Sequence, residues 1–296
     1  MARYEILDTF PAFERFWRSA RSRPIPEQID RWKREYLGPW PDLWRKQFRS
    51  YRADGQDWRS VAHNRVFPTL DQRLPRMRKV HSLLLRGIPI ASRRIRSHLG
   101  EDFSVLFVIH VGIGVGAGWA TTFRGGPAVL FGLENAAELG WSDPDTAVAL
   151  VEHELAHLVH DHWRRKRRVG ALERHRGPWW QLYQEGFATR CEIRMGEIGA
   201  HHSVSPNQDW LQWCEENRSR LASLFLRSTS SAVSMRRFFG SWYDVDGHIE
   251  TGYYLGAEVV RDWESKCSLR EIACWGPGPA RERCRAALRR MAASHP

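Results

Sequence analysis

Residues 151–162 read VEHELAHLVHDH, four histidines within twelve positions. Upstream, Ser142-Asp143-Pro144-Asp145 has the composition of a helix start: a capping side chain, Pro in the first turn and an acid at the positive end of the dipole. From there Val148, Val151, Leu155, Leu158 and Val159 recur at helical spacing, so a helix with an apolar stripe is predicted through Trp163. On that helix lies His153-Glu154-Leu155-Ala156-His157. Histidines four apart project from one face a turn apart, which lets both imidazoles reach a single metal ion. Glu154 sits beside them, placed to take a proton from an attacking water.

Two histidines leave a catalytic ion short of its usual three protein ligands. A continuation HExxHxxGxxH fails, because His160 stands at the glycine position and Trp163 at the last histidine position. The other source is an acid on a following helix. Beyond the basic run Arg164–Arg168 and Gly177-Pro178, a helix is predicted over about Trp179–Met195. It carries Trp179-Trp180-Gln181-Leu182-Tyr183-Gln184-Glu185-Gly186-Phe187-Ala188, with Glu185 near its centre.

HELAH followed by WWxLYxEGFA resembles the gluzincin metallopeptidases, whose second helix carries an (N)EGFA-type motif. Downstream, Thr251-Gly252-Tyr253-Tyr254-Leu255-Gly256 is similar to the GYxxG helix of a bacterial family of zinc-dependent proteases in that group. The resemblance covers roughly residues 100–265. It implies one catalytic Zn²⁺ held by His153, His157 and Glu185, with Glu154 as general base. Gln184 stands where many of these enzymes have Asn. The resemblance also implies that a Tyr or His steadies the oxyanion; Tyr253 fits the motif, with Tyr254 next and His248 third. His160 is expected in the second shell or buried, and His162 and Asp161 exposed. The strand over Ala128, Val129 and Leu130 is expected as an edge pairing with extended peptide. Phe131-Gly132-Leu133-Glu134-Asn135 is similar to an amine-gripping GxMEN motif but lies too close to HExxH, so no amine anchor is expected.

The implied fold is α+β and zincin-like, a small mixed sheet packed on the HExxH helix with largely helical flanks. Three regions are expected: a mainly helical 1–100, a metallopeptidase core over 101–265, and a helical tail over 266–296. In the first, helices are predicted over Phe13–Arg21 and Pro26–Tyr36, and another over Arg76–Arg96 is interrupted at Gly87-Ile88-Pro89. Residues 104–123 carry no Asp, Glu, Lys or Arg, the length of a membrane span. Four glycines and β-branched apolar residues make them strand, flexible glycine turn, strand instead. A helical block is expected over 207–239 and another helix over Ile249–Trp263.

The chain of 296 residues has a net charge of +11. Lys occurs only at 33, 46, 79, 166 and 266, so the excess is arginine. Apart from Arg164–Arg168 it is scattered, and no nucleic-acid-binding motif accompanies it. Five cysteines without a CxxC pair fit reduced thiols. The N-terminus lacks an apolar leader, so a cytoplasmic protein without a membrane span is expected, acting on a peptide or protein. Two alternatives are a metal-binding regulatory protein without catalysis and a basic nucleic-acid-associated factor. Glu154 counts against the first, since a structural metal site needs no base.

Overall fold

The computed structural model describes residues 4–53, 55–196, 208–229, 232–240 and 242–294. Its class is α+β, mainly helical with a small mixed sheet. The chain forms two compact units, Met1–Arg93 with Asp102–Val151, and Arg94–Glu101 with Glu152–Pro296. Within the first hundred residues, expected as mainly helical, Tyr4–Asp8 is a strand.

In the first unit, β1 (Tyr4–Asp8), β2 (Val105–His110), β3 (Gly118–Phe123) and β4 (Gly126–Gly132) form one sheet in the order β1-β2-β4-β3. The first two and β4 are parallel, whereas β3 runs antiparallel to β4. Arg124 and Gly125, at φ 49° and 81°, make the tight turn between them. Strand β4 is bonded on both sides, Ala128 to Leu106 and Thr121, Leu130 to Val108 and Trp119. This corrects the expectation that Ala128, Val129 and Leu130 form an edge: their backbone groups are already paired, and β1 and β3 are the edges.

Helices α1 (Phe10–Ala20), α2 (Ile25–Arg31), α3 (Pro41–Ala53) and α4 (Trp58–Val61) precede α5 (Leu70–Leu99), which runs through Gly87-Ile88-Pro89 without a break. An internal proline costs about 3 kcal/mol. Leu84, Ile88, Ala91 and Ile95, at helical spacing, are all buried and offset it. The glycine stretch after β2 is tied down rather than flexible. Tyr36 Oη accepts the Val111 N–H at 3.0 Å, Trp32 Nε1 donates to the Val111 carbonyl at 3.2 Å and Tyr51 Oη to that of Ile113 at 2.6 Å. Glu134, on α6 (Leu133–Glu138), accepts the N–H groups of Gly112 and Gly114 at 2.8 and 2.9 Å. A Cβ on Gly112 would stand 2.5 Å from Gln47 Oε1 and 2.9 Å from Glu134 Oε1, so a larger residue here would displace both side-chain ends.

Beside this loop His110 is buried, and burial lowers its pKa to about 4. Its neutral form is therefore the folded one. Stability is fully present above the unfolded value near 6.5 and is lost as pH falls from there through about 4. Between pH 7 and pH 5 this removes about 2 kcal/mol. Urea unfolding at the two pH values should show that loss reduced by a similar amount in His110→Phe.

The second unit contains most of α7 (Pro144–Lys166), then α8 (Pro178–Met195), α9 (Gln208–Glu216), α10 (Arg218–Ser228) and α11 (Ala232–Phe239). A hairpin of β5 (Asp244–Val245) and β6 (His248–Ile249) leads to α12 (Thr251–Glu264), α13 (Leu269–Ala273) and α14 (Pro277–Ala293). Helices α8 and α12 cross at two glycines. A Cβ on Gly256 would lie 2.6 Å from the Gly186 Cα, and one on Gly186 would overlap the Gly256 carbonyl. Arg190 and Arg194 of α8 hold Glu264 of α12 at the same crossing. Because the clash would be with backbone, Gly256→Ala must part the helices. A destabilisation of about 1–3 kcal/mol is expected, read as a lowered thermal midpoint.

Candidate metal centre

Helix α7 is buried on nearly every side from Ala149 to His160, so its polar residues need partners within the protein. Glu152 is fully buried and pairs with Arg94 at 3.2 Å. His153, the next residue, and His157, one turn on, direct their Nε2 atoms toward Glu185 of α8. Three ligand atoms close a triangle: His153 Nε2 to His157 Nε2 3.2 Å, His157 Nε2 to Glu185 Oε2 3.0 Å, and His153 Nε2 to Glu185 Oε2 3.3 Å. Tetrahedral bonds of about 2.0–2.1 Å to one ion place neighbouring ligand atoms about 3.3 Å apart. The triangle has that size. Among the described residues this is the one group of histidines, cysteines and acids able to hold a metal.

Glu192, two turns beyond Glu185 on α8, is fully buried, and its Oε2 lies 3.1 Å from His153 Nδ1. A proton on Nδ1 donates there and leaves the Nε2 lone pair directed at the triangle. Gln184 Nε2 donates to the other oxygen of Glu185 at 3.4 Å, which gives that residue a role in orienting the carboxylate. Burial opposes a charge on His153, but the carboxylates of Glu185 and Glu192 outweigh it and raise its pKa to about 10. Burial likewise opposes ionisation of Glu185, while His157 and His153 hold its carboxyl well below the usual range. The same donors thus favour a positive charge at their centre, whether protons or an ion.

Glu154 is buried on the same helix, and its charge acts on both His153 and Tyr253. The Tyr253 ring stands 5.6 Å from that of His153, at 52°. Burial first, then Glu185, Glu250, Glu154 and Glu192, raise its pKa well above 10, so the phenol keeps its proton and can donate it in a hydrogen bond. Glu250 precedes α12 in a left-handed conformation, φ 60°, and its carbonyl accepts the Tyr253 N–H at 3.1 Å. Gly252 lies against the Phe239 ring, where a Cβ would come within 2.6 Å, and Phe239 packs edge-on to Tyr253 at 5.7 Å. Gly252 of GYxxG and Phe239 of α11 therefore seat the tyrosine.

The remaining sequence candidates lie elsewhere. His160 is buried against Phe187, with Nε2 at 3.1 Å from Tyr183 Oη and 3.2 Å from the Ala273 carbonyl. It is a core histidine whose hydrogen-bonding Nε2 is spent on Tyr183 and Ala273. Tyr254, one residue past Tyr253, points along a different face of α12 and packs edge-on to Trp210. His248 stacks on Trp213 at 3.7 Å and its Nδ1 meets the Asp246 carbonyl. The partners that place Tyr254 and His248 are thus Trp210, Trp213 and the Asp246 carbonyl. His162 and Asp161 are half-buried rather than exposed: His162 pairs with Glu101 at 3.1 Å, and Asp161 accepts the Leu172 N–H and pairs with Arg165. Nor does the whole run 164–168 face solvent. Arg164 is fully buried, donating to the carbonyls of Gly170, Ala273, Trp275 and Val169.

The residue missed from sequence is Glu192. A helical period carries it back to the face of Glu185 after seven residues, which is the signal that identifies it. Comparison with known protein families, with curated proteins and with solved structures finds no match. If the triangle takes up zinc, Glu192→Gln should weaken that binding about 10–100-fold without loss of secondary structure, measured by competition with a chromogenic chelator.

Proposed function

We propose that this chain is a zinc-dependent metallopeptidase of gluzincin type on a zincin-like fold. The convergence of His153 Nε2, His157 Nε2 and Glu185 Oε2 at 3.0–3.3 Å, on the helix that also carries Glu154, supports this reading above everything else. Two neutral imidazoles and one carboxylate are the donor set that suits zinc in a catalytic site, where one position stays open. A zinc ion held there supplies Lewis acidity, making water acidic and a peptide carbonyl electrophilic.

The protein's own groups do the rest. Glu154 takes the proton of the attacking water and passes it to the departing amine, so one carboxylate serves as base and then acid. Tyr253, protonated throughout, donates a hydrogen bond to the oxygen that gains charge when the carbonyl becomes tetrahedral. Glu192 and Gln184 keep His153 and Glu185 in their orientations. Among the described residues no helix is long and apolar enough to cross a membrane, and the substrate in this reading is a peptide or protein.

Metal analysis and a casein-cleavage assay test the proposal. The wild type should carry about one zinc per chain, and Glu185→Ala should lose it. Glu154→Gln should retain the metal while activity falls by about 10²–10⁴. Tyr253→Phe should also retain it, with kcat lowered about 10²–10³-fold and KM little changed. Zinc retained at full affinity in Glu185→Ala would overturn the ligand set, and full activity in Glu154→Gln would overturn the mechanism.

A further inference from the structure

Within the second unit, the far ends of α7 and α8 enclose a cleft of about 340 Å³ that the proposed chemistry does not use. It lies six residues beyond His157 on α7 and ten beyond Glu185 on α8. Leu99, Trp163, Met195 and Leu269 line it with apolar surface, the last three buried. His98, Arg194 and Arg270 add cationic or titratable groups. A cleft of this size, apolar within and carrying a few convergent polar groups, has the composition of a small-ligand site.

The charges give the ligand its sign. Glu101 takes Arg270 at 2.5 Å, Lys166 at 3.0 Å and His162 at 3.1 Å, besides a hydrogen bond of 2.7 Å from Trp163 Nε1. Glu264 takes Arg194 at 2.6 Å and Arg190. Four permanent cations are thus set against two carboxylates, leaving two positive charges in excess without counting histidine. Arg194 and Arg270 each engage their carboxylate through one nitrogen, NH1 and NH2 respectively. The rest of each guanidinium fork has no hydrogen-bond partner among the described residues. The Arg270 guanidinium lies over the Trp163 ring, 5.2 Å from its centroid, which puts a cation directly above the apolar wall. His98 spends Nδ1 on the Arg94 carbonyl and Ser97 Oγ, and its Nε2 is free among the described residues.

We propose that this cleft binds an amphipathic organic anion, a carboxylate carried on a short acyl or aryl chain. The chain lies against Leu99, Trp163, Met195 and Leu269, and the carboxylate takes the spare guanidinium donors of Arg194 and Arg270, with His98 beside them. A bidentate guanidinium contact discriminates carboxylate from alcohol, and the apolar wall discriminates a chain from acetate.

Calorimetric titration of the full chain with octanoate, octanol and acetate tests both halves. Octanoate should bind near one equivalent at about 1 mM or below, with octanol and acetate each at least about tenfold weaker. Arg194→Gln should weaken octanoate about tenfold and leave octanol unchanged; Arg270→Gln should do the same. Should Arg270→Gln fail to fold through its tie to Glu101, Arg194→Gln and His98→Gln carry the test, since both residues are exposed. Equal affinity for octanoate and octanol overturns the proposal. So does undiminished octanoate binding in Arg194→Gln, or no octanoate binding at about 1 mM.

Discussion

The backbone contact between Gly186 and Gly256 is the constraint on which the second unit is built. Two helices approach this closely only where neither carries a Cβ, and here both positions meet that condition. The residues beside these glycines then have little freedom. Glu185 immediately precedes Gly186, and Tyr253 lies three residues before Gly256, nearly one helical turn away. The crossing therefore fixes a ligand candidate on α8 and a phenol on α12 relative to each other, and the Arg190 and Arg194 pairs with Glu264 hold the same crossing further along. Glycine in a helix interior costs about 1 kcal/mol against alanine. Two such costs at the centre of buried helices make sense where the approach itself is required.

A second requirement is electrostatic. Glu154, Glu185, Glu192 and Glu250 all act on the Tyr253 phenol, and all but Glu185 are nine-tenths or more buried. Buried carboxylates in such number are costly without positive charge among them. His153 lies between two of them, with Nδ1 on Glu192 and Nε2 on Glu185. Those two carboxylates raise its pKa against the effect of burial, the direction expected where the surroundings favour a cation. A divalent ion would answer the same field with more charge and would satisfy three lone pairs at once. The direction of the His153 shift and the size of the triangle are thus two consequences of one arrangement.

Much of this was legible in the sequence because helical periodicity is local. Pro144–Lys166 and Pro178–Met195 follow from capping residues, proline placement and apolar spacing, and HExxH gives two side chains on one face without knowledge of the fold. Glu185 was legible through its motif, whereas Glu192 required asking which polar residue returns to the same helix face. The sheet was harder. Val105–His110 is recognisable as a buried strand, but its partners are set by non-local pairing, and no local signal in Tyr4–Asp8 announces that it joins β2 a hundred residues later. The same gap explains the misplaced edge: an apolar run such as Ala128–Leu133 reads alike in an edge and an interior strand. Gly87-Ile88-Pro89 failed for the opposite reason, since local breaking propensity lost to burial of the face it interrupts.

Net charge was the least informative property, and the structure gives the reason. The formal +11 treats every arginine as an equal contributor to an outward field, yet the residues of the one basic run have separate fates. Arg164 donates to four backbone carbonyls inside the protein, Arg165 returns to Asp161, and Lys166 joins Glu101. A run that is continuous in sequence is therefore discontinuous as a charged surface. Where cations do outnumber acids in one place, around Glu101 and Glu264, they come from α7, α8 and α13, and no linear motif signals the excess. Whether a basic chain presents an anion site is decided by which arginines keep unspent donors after folding, and that depends on tertiary pairing, which composition does not record.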